Sequence, residues 1–84
     1  MKLTWICDPG HGWLVVPLNE LRALNIVDRI SRYSYLKDGL AYLEEDCDAT
    51  LYFTAHKAAG TVPAYIEKHT DKRHPIRSYS TFKA

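Results

Sequence analysis

The sequence is poor in the features that most often announce a class. It holds only two cysteines in 84 residues, Cys7 and Cys47, and their spacing is not that of a CxxC pair. That excludes a disulfide framework and a thiol-rich metal site. Two buried thiols packing as small hydrophobes are expected, with a Cys7–Cys47 bridge or a reactive thiol as the alternatives. Four glycines and four prolines leave no linker, repeat or low-complexity tract. No run approaches the roughly 18 apolar residues of a membrane span. The stretch Leu3 to Cys7 is too short for a secretory signal and is broken by Asp8-Pro9-Gly10, so a cytoplasmic protein is expected. No Walker loop, nucleophile elbow or EF-hand spacing occurs.

What is present is ordinary globular composition: 46% hydrophobic, 12% aromatic and 25% charged. That suits one small domain over residues 1–84 with a thin core. The net charge of +1 is uninformative, but its distribution is not. Asp38 to Asp48 carries five acids and no base, whereas Lys68 to Lys83 carries five bases against Asp71. The chain is a charge dipole along its sequence.

Local patterns suggest ββ-α-ββ-α-β(β). Leu3–Cys7 and Trp13–Val16 read as a hairpin turning through Asp8-Pro9-Gly10. Leu18, Leu21 and Leu24 share one face of a short helix, with Asn25 suited to its left-handed end and Ile26 folding back. Ser31–Leu36 alternates like a strand, and Lys37-Asp38-Gly39 turns it into Leu40–Leu43. The acidic run then opens a second helix, capped by Asp46 or Asp48. Its apolar stripe is Cys47, Leu51, Ala55 and Ala58, widened by Tyr52 and Ala59, and Gly60 ends it. Pro63–Ile66 reads as a short strand, His69–Pro75 as a basic loop and Ile76–Phe82 as a last strand. The expected fold class is α+β: a small antiparallel sheet of about four to six strands with two short helices on one face.

Three sites compete. The acids Glu44, Glu45, Asp46 and Asp48 lie near Tyr33, Tyr35 and Tyr42. Together they suit docking onto a basic protein surface, because charge steers encounter and tyrosines supply contact area. The plainer alternative makes the acids a solvated helix start and the tyrosines a half-buried sheet face. Lys68, Lys72, Arg73 and Arg77 with Tyr79 suit nucleic acid, bases stacking while cations follow phosphates. A pI of 7.8 argues against it, since such domains usually exceed about 9. A solvated loop and a charge-protected edge strand are the alternative.

The third site is Asp8-Pro9-Gly10-His11-Gly12, which resembles the zinc-binding turn of N-acetylmuramoyl-L-alanine amidases. That resemblance covers five residues, and it implies a small zinc hydrolase with His11 as a ligand. Glu20, Glu44, His56, His69 and His74 are available as further ligands, but none has a compelling spacing. A plain turn uses the same residues. No cofactor is expected, and binding is favoured over catalysis.

From His11 to Phe82 the chain also resembles small uncharacterised proteins of bacteriophages and prophages. The most specific segment is ISRYSYLKDGLAYLEEDCDA, Ile30 to Ala49. The resemblance implies a compact phage accessory protein, a kind that includes inhibitors of host defence such as anti-CRISPR proteins that bind a Cas effector. It assigns no functional residue.

Overall fold

A computed structural model describes residues 2–71 and 75–82. Six strands form one sheet in the order β5-β1-β2-β4-β3-β6. They are β1 (Lys2–Cys7), β2 (Gly12–Pro17), β3 (Tyr35–Lys37), β4 (Leu40–Glu44), β5 (Ala64–His69) and β6 (Ser80–Thr81). The helices are α1 (Leu18–Ala23) and α2 (Asp48–Ala58). The fold class is α+β, as the sequence suggests.

Both hairpins form where their turn residues demand. Asp8 spans the first turn, its Oδ1 accepting from the N–H groups of Gly10 and His11 at 3.0 and 2.9 Å. This is an Asx turn, with Asp8 itself buried. Asp38 and Gly39 both take positive φ, 53° and 77°, the geometry that matches strand twist in a two-residue turn. The Gly39 carbonyl then accepts the first helical N–H of α1 from Leu18 at 2.9 Å. Asn25 takes φ 58° after α1, and Ile26 N–H returns to the Leu21 carbonyl at 3.1 Å, so Ile26 is tucked into the core. Gly60 closes α2 the same way, with Thr61 N–H reaching the His56 carbonyl at 3.0 Å.

The main core lies between the sheet and both helices. Leu3, Leu14, Val16, Ala41 and Leu43 from the sheet meet Leu21 of α1 and Ala49 and Tyr52 of α2. Ile26, Ile30 and Phe82 close its margin. Neighbouring residues on the strands point to the other face. There Tyr42 meets Tyr79 edge-on, with ring centroids 5.0 Å apart. Trp13 and Ile76 are also buried, outside the main core. Tyr79, just before β6, therefore lies on this second face.

Four expectations need correction. The sheet is mixed, because β5 pairs in parallel with β1, from Lys2 opposite Ala64 to Cys7 opposite His69. A helical crossover returns the chain in the direction it left, and β4, which precedes α2, runs parallel to β1 across β2. The third strand begins only at Tyr35, because Ser31 and Ser34 bind the Asp48 carboxylate and hold their segment as a turn. The final strand shrinks to Ser80–Thr81. Pro75–Ser78 instead makes one 3-10 turn, with the Ser78 hydroxyl donating to the Pro75 carbonyl at 2.7 Å. The stripe of α2 is also rotated: Asp48, Ala49 and Tyr52 are buried, whereas Cys47 is exposed. Anchoring of Asp48 to the two serines turns that face inward. Cys7 is half-buried, and both thiols are free.

Candidate functional site

One end of the sheet gathers the β1–β2 turn, the start of β3, the end of β4 and the start of α2. A cleft of about 360 Å³ opens there, lined by His11, Trp13, Tyr33, Tyr35, Glu44, Asp46 and Cys47. It joins two sets of residues that the sequence keeps apart, the histidine turn and the acidic and aromatic segment.

Asp48 builds the cleft from beneath. Its carboxylate accepts from Ser31 N–H at 3.1 Å, from the Ser31 hydroxyl at 2.6 Å and from the Ser34 hydroxyl. Ser34 Oγ accepts in turn from Glu44 N–H at 3.0 Å. The network ties the Ser31–Ser34 turn, which carries Tyr33, to the ends of β4 and α2. Asp48 is 3% exposed, and the groups bonded to its carboxylate are all donors. It therefore belongs to the scaffold and not to an outer acidic face.

Glu44 forms the second support. Its Oε2 accepts from Asp46 N–H at 2.9 Å, and Oε1 accepts from Cys47 and Asp48 N–H at 2.6 and 2.9 Å. These are orphan donors at the helix start, so Glu44 is the cap expected of Asp46 or Asp48. Burial pushes its carboxyl up, but the three N–H groups and nearby His11 outweigh that and hold it below the ordinary value of 4.5. Reversing its charge would therefore damage the helix as well as the surface.

The remaining acids diverge. Asp46 stays exposed at the cleft rim. Glu45 turns toward the helix-bearing side, where a Cβ on Gly12 would meet its Oε2 at 3.1 Å and Trp5 Nε1 at 3.4 Å. There Cys7 is raised by burial first, then by Glu67, Glu45 and Asp8, which keeps its thiol protonated. The four acids thus perform separate tasks, and the run is not one steering face.

The aromatic wall is more coherent. Tyr33 projects from the turn with 78% of its surface exposed. Tyr35 and Trp13 form the floor and side, and His11 stacks obliquely on Trp13 with centroids 5.8 Å apart. Tyr42 lies outside the cleft against Tyr79, while Lys37 Nζ stands 4.4 Å from the centre of the Tyr79 ring. Such a cleft suits a cation: aromatic faces attract it, and Asp46 and Glu44 complement it.

Among the described residues, the members of the other two sites do not come together. Lys68 lies on the edge strand β5, three strand positions from the β4 strand on which Tyr79 packs. Lys72, Arg73 and the Arg77 side chain lie outside the described residues, as does His74. Among the described residues no group of three His, Cys, Asp or Glu side chains could hold a metal. His11 and Glu20 flank opposite ends of β2. Glu20 instead joins His56, Nε2 to Oε1 at 2.9 Å, with Tyr52 OH 2.8 Å from the same nitrogen.

No known protein family, curated protein or solved structure matches the chain. None of its helices is long and apolar enough to cross a membrane, among the described residues.

Proposed function

We propose that this chain is a non-catalytic binding protein that receives a cationic segment of a partner protein in the cleft beside Tyr33. The observation that carries the reading is the convergence of Trp13, Tyr33 and Tyr35 with Glu44 and Asp46 in one concavity. Exposed tyrosine beside carboxylate is the composition that gives a protein surface both contact area and charge selection. A rigid base supports it, since the Asp48 network fixes the turn before any partner arrives. In this reading Tyr33 and Tyr35 are the anchors and Asp46 the steering charge. Glu44 and Asp48 hold them in place.

The resemblance to phage accessory proteins gives the partner class: a host defence complex, with a CRISPR effector as the leading candidate. Such complexes carry basic grooves for nucleic acid, which an acidic and aromatic surface complements. The test is a pull-down with tagged protein from bacterial lysate containing CRISPR effector complexes, with nuclease treatment in parallel. Wild-type protein should retain a Cas protein, and the Tyr33→Ala, Asp46→Lys double variant should not. Equal retention by both proteins, or recovery of nucleic acid alone, overturns the reading.

A further inference from the structure

A second surface lies on the outer edge of β5, at one margin of the sheet. Among the described residues this strand pairs only with β1, and all six of its residues are exposed. It also concentrates apolar surface. Val62, Tyr65 and Ile66 are 88%, 48% and 42% exposed, and among the described residues the only other large hydrophobic residue so exposed is Tyr33. An unpaired edge of this length with apolar side chains is a template for another strand. The opposite edge strand, β6, has only Ser80 and Thr81.

We propose that β5 is the pairing edge of a symmetric dimer, joined antiparallel to β5 of a second copy with Ile66 on the two-fold axis. The register follows from the backbone. Thr70 N–H donates to the Cys7 carbonyl at 2.9 Å, toward β1. Backbone groups alternate sides along a strand, so Ala64, Ile66 and Lys68 also bond inward. Tyr65, Glu67 and His69 present their N–H and C=O groups to the open edge. In an antiparallel pair, residues with outward groups must face one another. Within β5, two-fold axes through Ile66 or Glu67 pair five residues of each strand, whereas axes through Tyr65 or Lys68 pair only three.

Charge decides among them. An axis through Glu67 sets it directly against the partner's Glu67, and one through Lys68 opposes two ammonium groups. Like charges directly opposite are destabilising. The Ile66 axis places Ile66 against the partner's Ile66 in the closer, non-hydrogen-bonded position. Tyr65 then exchanges both backbone bonds with the partner's Glu67, and the symmetric pair does the same. Lys68 falls opposite the partner's Ala64, where no like charge meets it. A chain of net charge +1 offers little long-range repulsion to a second copy. The product is a continuous sheet of twelve strands, twice the six of one chain.

The experiment is sedimentation equilibrium on the full chain as a function of concentration. Glu67→Pro removes one outward N–H per chain and leaves the bonds to β1 intact, the position where an edge strand tolerates proline. Ile66→Arg places two guanidinium groups on the axis. Each variant should weaken the dimer by roughly tenfold or more. Disulfide trapping reads the register without relying on either variant. In a Cys47→Ser background, Ile66→Cys should crosslink faster than Glu67→Cys or Lys68→Cys, because only position 66 meets itself across the axis. A protein that stays monomeric to about millimolar concentration overturns the proposal. So does a dimer indifferent to both substitutions, or faster trapping at position 67 or 68.

Discussion

Replacing Asp48 by alanine tests the internal carboxylate that underlies the cleft. Its oxygens accept from Ser31 N–H, the Ser31 hydroxyl and the Ser34 hydroxyl. Ser34 is 0% exposed, so its hydroxyl has no water to turn to, while Ser31 is only half-buried. Each buried donor left unpaired costs about 1–3 kcal/mol. Counting Ser34 in full and Ser31 in part gives a loss of about 2–4 kcal/mol. A domain of this size has a total stability of roughly 4–13 kcal/mol, so the loss is a large fraction. At about 4–8 °C per kcal/mol, a 3 kcal/mol loss lowers Tm by roughly 12–24 °C. Asp48→Asn keeps the shape and one acceptor but aims an amide at donors, so it should fall between wild type and Asp48→Ala. Urea and thermal unfolding followed by circular dichroism measure both. A loss below about 1 kcal/mol for Asp48→Ala would refute the scaffold reasoning.

Other outcomes follow from the same geometry. Glu44→Gln should cost about 1 kcal/mol at neutral pH through the weakened helix cap. Its carboxyl is held below 4.5, so unfolding takes up a proton there. The Glu44 contribution is complete above that ordinary value and fades as pH falls through the lower native one; unfolding curves of the glutamine variant should therefore be flatter on the acid side. Burial, then Glu20, pushes the Tyr52 phenol far above its ordinary 10.0. The fold should lose stability as pH rises past about 10, where the unfolded phenol ionises, and Tyr52→Phe should remove that loss. At neutral pH the same variant should cost about 1 kcal/mol, through the lost bonds to His56 and Glu20. Asn25 has φ 58°, so Asn25→Val should cost about 1–2 kcal/mol in thermal unfolding, while Asn25→Gly should be close to neutral.

The parts of the fold visible in the sequence are those with local causes. Asp38-Gly39 and Asn25 need no distant partner to favour positive φ, and both take it. What the sequence conceals depends on contacts between distant segments. Asp48 reaches residues 14 and 17 positions away, and that contact alone ends the apparent strand at Ser34 and rotates α2. Alternation in Ser31–Leu36 and Ile76–Phe82 suggested strands, but serine hydroxyls and Pro75 found other partners. Parallel pairing of β5 required knowing which edge α2 would return to.

The candidate site was legible in part. Tyr33, Tyr35 and Asp46 do meet in one cleft, and the segment Ile30 to Ala49 supplies most of its wall. Trp13 and His11 were not foreseen there, because the β1–β2 turn is brought to Glu44 only by strand pairing. Trp13 lies opposite Glu44 in the ladder. Charge counting overstated the acidic face, since it cannot tell a capping glutamate or an internal aspartate from a free one. No local signal marks Asp48 as internal, since Ser31 and Ser34 lie 17 and 14 positions before it.

In the proposed function, binding passes through the cleft and not merely near it. The most direct measurement is the affinity of wild type, Tyr33→Ala and Asp46→Lys for a purified CRISPR effector complex, with Tyr79→Ala, on the same sheet face but outside the cleft, as the control. Tyr33→Ala should weaken binding by roughly thirtyfold and Asp46→Lys by at least tenfold, with Tyr79→Ala within about twofold of wild type. Equal affinity across all four proteins, or a loss confined to Tyr79→Ala, would contradict the account.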